Sequence, residues 1–97
     1  MTETEKKTES TNNIVKVAAK SEPKKVAGAL AKVVQEQGRA EVYAVGAAAV
    51  NQAVKSITIA RSLLTLSGKD IITYPAFTTV TLEGESRTAI TFFVENR

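Results

Sequence analysis

Residues 38–61 read GRAEVYAVGAAAVNQAVKSITIAR, and the fold turns on how this run is divided. Glu41 to Val45 is almost wholly apolar, as a central strand would be. It stops at Gly46 and passes straight into an alanine-rich helix expected over Ala47 to Leu64. On that helix Val50, Ala53, Val54, Ile57, Ala60 and Leu64 make the face expected to be buried. Asn51, Lys55, Ser56, Thr58 and Ser62 are expected to look outward. Ile59 stands about 200° from Ile57 around the axis, so it is an apolar residue on the wrong side and a hint of a partner surface. No side chain in the run does strong acid–base or nucleophilic chemistry at neutral pH. Its equipment is a helix N-terminus, amides, hydroxyls and cations, which serves binding and assembly.

Upstream, Ile14 to Ala19 alternates with period two and reads as a short strand. Ser21 is the expected N-cap of a helix with Glu22 and Pro23 in its first turn. Val26, Leu30, Val33 and Val34 form its apolar stripe, and Gly38 ends it. Downstream, Ser67-Gly68 breaks the second helix. Ile71 to Leu82 is extended but interrupted by Tyr74-Pro75, where proline removes a ladder donor and predicts a bend or an edge position. Glu83-Gly84-Glu85-Ser86 is a hairpin turn. Thr88 to Glu95 is the last strand, with Ile90, Phe92 and Val94 on one face and Phe93 on the other.

The order is β-α-β-α-β-β. Two right-handed crossovers progressing in one direction put both helices on one face of a mixed four-stranded sheet. The expected fold class is therefore α/β, a two-layer sandwich whose second sheet face its own helices leave bare. It occupies residues 14–97 as one domain. Residues 1–13 are polar, without an aliphatic residue after Met1, and are expected to form a disordered tail.

Composition narrows the chemistry. The 97 residues include no cysteine and no histidine. Disulfides, zinc sites and the usual neutral-pH proton shuttle are thereby excluded. Only carboxylates and neutral oxygens remain to hold a metal, and no EF-hand spacing occurs. We expect no enzyme, no cofactor, no metal and no small-molecule substrate. No apolar run approaches ~18 residues, so no membrane span is expected, and zero cysteine fits a reducing cytoplasm. The net charge is +3; Glu3, Glu5 and Glu9 against Lys6 and Lys7 give the tail −1, leaving +4 for the remainder. That mild excess favours polyanion partners.

The strings SEPKKVAGALAKVV, VGAAAVNQAVKSITIAR, YPAF and EGESRTAITFFVE resemble the bacterial stage V sporulation protein S family, from Ile14 nearly to the end of the chain. The densest part is Gly46 to Arg61, around NQAVK. The extension before Ile14 is absent from that family's short members. The resemblance implies an Alba-like fold, a homodimer or tetramer, a cytoplasmic setting, and regulation of sporulation or a related developmental programme. The wider Alba-like superfamily adds nucleic-acid binding, to DNA or RNA.

Each candidate site has a plainer alternative. Lys20, Lys24 and Lys25 cluster with Ser21 around the start of the first helix, where Alba-like proteins place cations against the phosphate backbone; Lys20 best matches that position. The alternative is a solvated first turn partly neutralised by Glu22. Gly46 and the amides of Ala47 and Ala48, near Asn51 and Lys55, would let a phosphate approach a helix N-terminus. The alternative is a tight turn, with alanines chosen for close helix–sheet packing, and no G-x-G-x-x-G is present. Gln52, Ile59, Leu63 and Leu64 are assigned to subunit contact. Arg87 adds a cation beside the last strand. Against nucleic-acid binding, Glu83 and Glu85 flank Gly84 in the hairpin that Alba-like proteins use as a basic arm. Tyr43, Tyr74, Phe77, Phe92 and Phe93 lack the basic interleaving of a stacking platform, and most of them are assigned to core or subunit interface. The rival function is a protein–protein interaction or scaffold module of the same fold. A nucleotide-binding enzyme at Gly46 would need a pocket that the sequence does not indicate.

Overall fold

The computed structural model describes residues 13–97, so the expected tail lies, Asn13 apart, outside the described residues. The elements are β1 (Ile14–Val17), α1 (Pro23–Gln37), β2 (Arg39–Ala44), α2 (Ala47–Thr65), β3 (Ile71–Leu82) and β4 (Glu85–Asn96). The sheet order is β1-β2-β4-β3, with β1 parallel to β2 and the other pairs antiparallel. The predicted mixed sheet and element order are both present.

Period two governs the central strand. Ala40, Val42 and Ala44 are buried, whereas Arg39, Glu41 and Tyr43 are not. The buried set joins one core with Leu30 and Val34 of α1, Ala53 and Leu64 of α2, and Phe92 and Val94 of β4. Both helices therefore share one face, and the register places Lys16, Tyr43, Phe93 and Tyr74 on the other. Gly38 ends α1 at φ 82°, a left-handed conformation in which a Cβ is disfavoured, and its N–H returns to the Val34 carbonyl at 2.8 Å.

The buried face of α2 differs from the expected one. Ala49, Ala53, Ser56, Ile57, Ala60 and Leu64 are inside, while Val54 is exposed. Bulk hydrophobicity favours Val54, but tight layer packing favours the small residues at 49, 53, 56 and 60. Ser56 is admitted because its hydroxyl donates to the Gln52 carbonyl at 2.7 Å, leaving no orphaned polar atom. Ile59 is half-buried and packs against the core, so it is not on the wrong side.

β3 runs unbroken through Pro75, which pairs with Phe92. It is an edge strand, where a missing outward donor costs no ladder bond. Beyond Ile71 its helix-side residues Thr73, Pro75 and Phe77 are all exposed. The β2–β4 pairing stops at Ala44↔Ile90, whereas β3–β4 continues to Leu82↔Glu85. The distal hairpin therefore projects past the C-terminal ends of β1 and β2. Its two-residue turn has positive φ at both Glu83 (53°) and Gly84 (80°), as tight hairpins of primed type require.

Candidate nucleic-acid interface

Because β1 and β2 are parallel, the loops leaving them emerge at the same end of the sheet. Both helix N-termini and the projecting hairpin share that end. The fold thus gathers Lys20, Ser21, Lys24, Lys25, Gly46, Asn51 and Lys55 there, with Arg87 on the hairpin.

The loop from β1 to α1 is a closed turn. Ser21 N–H donates to the Ala18 carbonyl at 3.1 Å, and Ala18 N–H donates to Ser21 Oγ at 2.9 Å. Ser21 is therefore not the N-cap. That position falls to Glu22, with φ −89° and ψ 116° and no side-chain cap bond. The reason is Pro23: its ring disfavours helical dihedrals in the preceding residue, so the helix starts one residue later than expected. The same turn ends β1 at Val17 instead of Ala19.

Lys20, Lys24 and Lys25 are all exposed. Lys25 lies 3.7 Å from Glu22 in a pair that is largely solvated on both sides, an arrangement worth little. Lys20 and Lys24 form no ion pair among the described residues. Lys24 and Lys25 sit in the first turn of α1, which holds no acidic residue. Cations there oppose the helix dipole, at a cost of about 0.3–1 kcal/mol each. An arrangement chosen for stability alone would be the reverse.

Gln52 binds this loop to α2: its Nε2 donates to the Ala19 carbonyl at 3.1 Å, next to Lys20. The expected subunit-contact residue is thus engaged within its own chain, and its buried Oε1 has no partner. Gly46 caps α2 with φ 92° and ψ 157°, and its carbonyl accepts from Val50 N–H at 3.0 Å. A Cβ there would meet nothing within 4 Å, so backbone conformation, not close packing, calls for glycine. Asn51 and Lys55 follow, both exposed. Arg87 is exposed opposite Val80, on the helix-free side of the hairpin.

The expected subunit-contact set is only partly on the surface. Leu63 is 40% exposed, but Leu64 is 0% exposed and belongs to the core. Other exposed apolar groups are Leu66 at 86%, just past α2, and on β3 Tyr74 at 46% and Phe77 at 81%. Phe77 was hidden from the sequence, because alternation along β3 does not reveal which rungs extend beyond the helices.

At the opposite end of the sheet Arg61 Nε donates to Asp70 Oδ1 at 2.7 Å and Arg97 lies 3.6 Å from Oδ2. The Arg61 hydrogen bond, then the Ile71 N–H, hold the Asp70 carboxyl below its ordinary value. Arg61 is thus committed to a structural pair. On the bare face the Tyr74 hydroxyl donates to Glu95 Oε2 at 2.7 Å, which raises the phenol above its ordinary value. Among the described residues no group of three or more acidic, cysteine or histidine side chains is placed to hold a metal. No helix among them is long and apolar enough to cross a membrane.

What the arrangement offers chemically is a set of solvated ammonium groups beside two helix N-termini. Against known families, the model for stage V sporulation protein S matches residues 13–97, nearly the whole chain. The protein belongs to the stage V sporulation protein S family, and is a sporulation-related protein.

Proposed function

We propose that this protein is a non-enzymatic regulator of Alba-like fold that self-associates and binds nucleic acid weakly, without base specificity, through the cations around the start of α1. The observation that carries the reading is the placing of Lys24 and Lys25 at the wrong end of a helix dipole, offset only by the solvated contact of Lys25 with Glu22. A phosphate in that position would satisfy the ammonium groups at the positive end of the helix dipole. Lys20 and the amides after Gly46 extend the same end.

With +4 on each unit outside the tail, a dimer would neutralise roughly four to six phosphates. Affinity for labelled DNA or RNA should then fall about a hundredfold or more between 50 and 200 mM salt. No binding at low salt, or binding indifferent to salt, would refute the reading.

A surface for the second copy is supported by the α2 flank that looks over β3. Val54 and Arg61 are seven residues apart on that flank, and Arg61 reaches Asp70 at the start of β3. Phe77, on the helix side of β3, is level with Ile90 and Ala44 and so with the start of α2. Val54 on α2 and Phe77 on β3 are exposed apolar side chains available for such a contact. Sedimentation should give a dimer for the wild type and a monomer for Phe77→Ser; a Phe77→Ser dimer would move the contact elsewhere.

The acidic tip supports a second reading. Glu83 and Glu85 project from the lysine-bearing end, where they repel phosphate, and a scaffold module of this fold would not need to avoid them.

A further inference from the structure

We propose that the helix-free face of the sheet is a stacking platform for single-stranded nucleic acid, continuous with the lysine loop. Tyr43, Phe93 and Tyr74 come from β2, β4 and β3. The register sets Phe93 opposite both Glu41 and Tyr74, with Tyr43 one rung away opposite Thr91. The rings form a diagonal row over three adjacent strands. Tyr74 and Phe93 are stacked, with centroids 5.3 Å apart and planes at 24°. Tyr74 is 46% exposed. At the other end of the row the Lys16 ammonium lies 5.9 Å from the centre of the Tyr43 ring. Among the described residues no helix covers this side.

The occupant follows from what surrounds the rings. Lys16, Arg39 and Arg87 share the face with Glu41, Glu85 and Glu95, and the Glu95 carboxylate is already taken by the Tyr74 hydroxyl. A second copy would have to desolvate these charges at the centre of an interface, where charged residues are depleted. Unpaired bases stack on individual ring faces, cover less of the sheet than a second copy would, and leave these charges in contact with water. A duplex keeps its base faces inside its own stack and has nothing to offer the row. Lys16 stands four residues before Lys20, so a strand anchored at the loop reaches Tyr43 directly. From that anchor its path leads toward Lys16 and Arg39, away from Glu83 and Glu85 on the projecting hairpin. The inference rests on the polyanion reading for that anchoring, and adds the class of ligand.

The test uses a convenient composition: the chain has two tyrosines, Tyr43 and Tyr74, and no tryptophan. Tyrosine emission therefore reports this face alone. Titrating the full chain with a thymidine 12-mer, an abasic 12-mer of equal charge and a 12-bp duplex should quench emission with the first only. The thymidine strand should bind about tenfold or more tighter than the abasic one, the scale of one or two lost stacks. By anisotropy, Tyr43→Leu/Tyr74→Leu should lose that preference while keeping its abasic affinity, and Tyr74→Phe should retain it. Equal binding of the two strands with unchanged emission overturns the platform, and leaves the lysine-loop reading intact. Failure of every strand to bind the wild type at low salt overturns both. A double variant that becomes monomeric assigns the face to a second copy and also overturns the platform. The wild-type quenching needs no variant to fold.

Discussion

Replacing Lys20, Lys24 and Lys25 together by glutamate should abolish measurable polyanion binding while leaving the fold as stable as before, or more so. The binding effect is the larger one. Each lysine that neutralises a phosphate contributes about one unit of salt slope. Reversal also adds three repulsive charges, so affinity at 50 mM salt should drop by on the order of a hundredfold or more. Stability should move the other way, because carboxylates in the first turn of α1 complement the dipole where ammonium groups oppose it. The loss of the solvated Lys25–Glu22 contact is a minor debit. Fluorescence anisotropy and thermal unfolding on the same preparation would check both halves. Retained binding, or binding lost together with the fold, would refute the assignment.

Leu64→Ala should be the most damaging conservative truncation on α2. Leu64 is 0% exposed and is buried against both layers. Truncating such a leucine costs about 2–5 kcal/mol, against a total of roughly 5–10 kcal/mol for a domain of this size. Leu63→Ala, at a site 40% exposed, should cost much less. Urea unfolding of the two variants at one protein concentration separates a core residue from a surface one. Similar losses for both would mean that Leu64 is not where the structure places it.

The sequence was most legible where one periodicity governed a segment. Ala40, Val42 and Ala44 alternate cleanly with residues facing the other way, and β4 does the same from Ile90 to Val94. Gly38 marked a helix end because a left-handed residue there needs no Cβ. Legibility failed where a rule about one residue met a stronger neighbour. Ser21 has cap chemistry, but Pro23 sets the backbone of Glu22 and moves the cap. Val54 outranks Ser56 in hydrophobicity, yet close packing admitted the serine with its hydroxyl bonded to the Gln52 carbonyl.

The candidate site divides in the same way. The lysines could be read directly, since consecutive charges beside a helix start are visible along the chain. Their convergence with Gly46 and Lys55 could be inferred only once β1 and β2 were known to be parallel. The aromatic row was invisible for a different reason. Tyr43, Tyr74 and Phe93 are separated by 31 and 19 positions in the sequence. They meet because the ladder register aligns them across β2, β4 and β3, and Lys16 joins them from a strand that precedes all three.

The parallel pairing of β1 and β2 has one more consequence. With both helices starting at the same end of the sheet, their peptide dipoles point the same way and add instead of cancelling. The molecule is thereby polarised lengthwise before any side chain is counted. In dilute salt, where screening extends over about 30 Å at 0.01 M, such a body rotates in the field of an approaching polyanion. It would arrive loop-first, its orientation chosen during diffusion and before any contact is made.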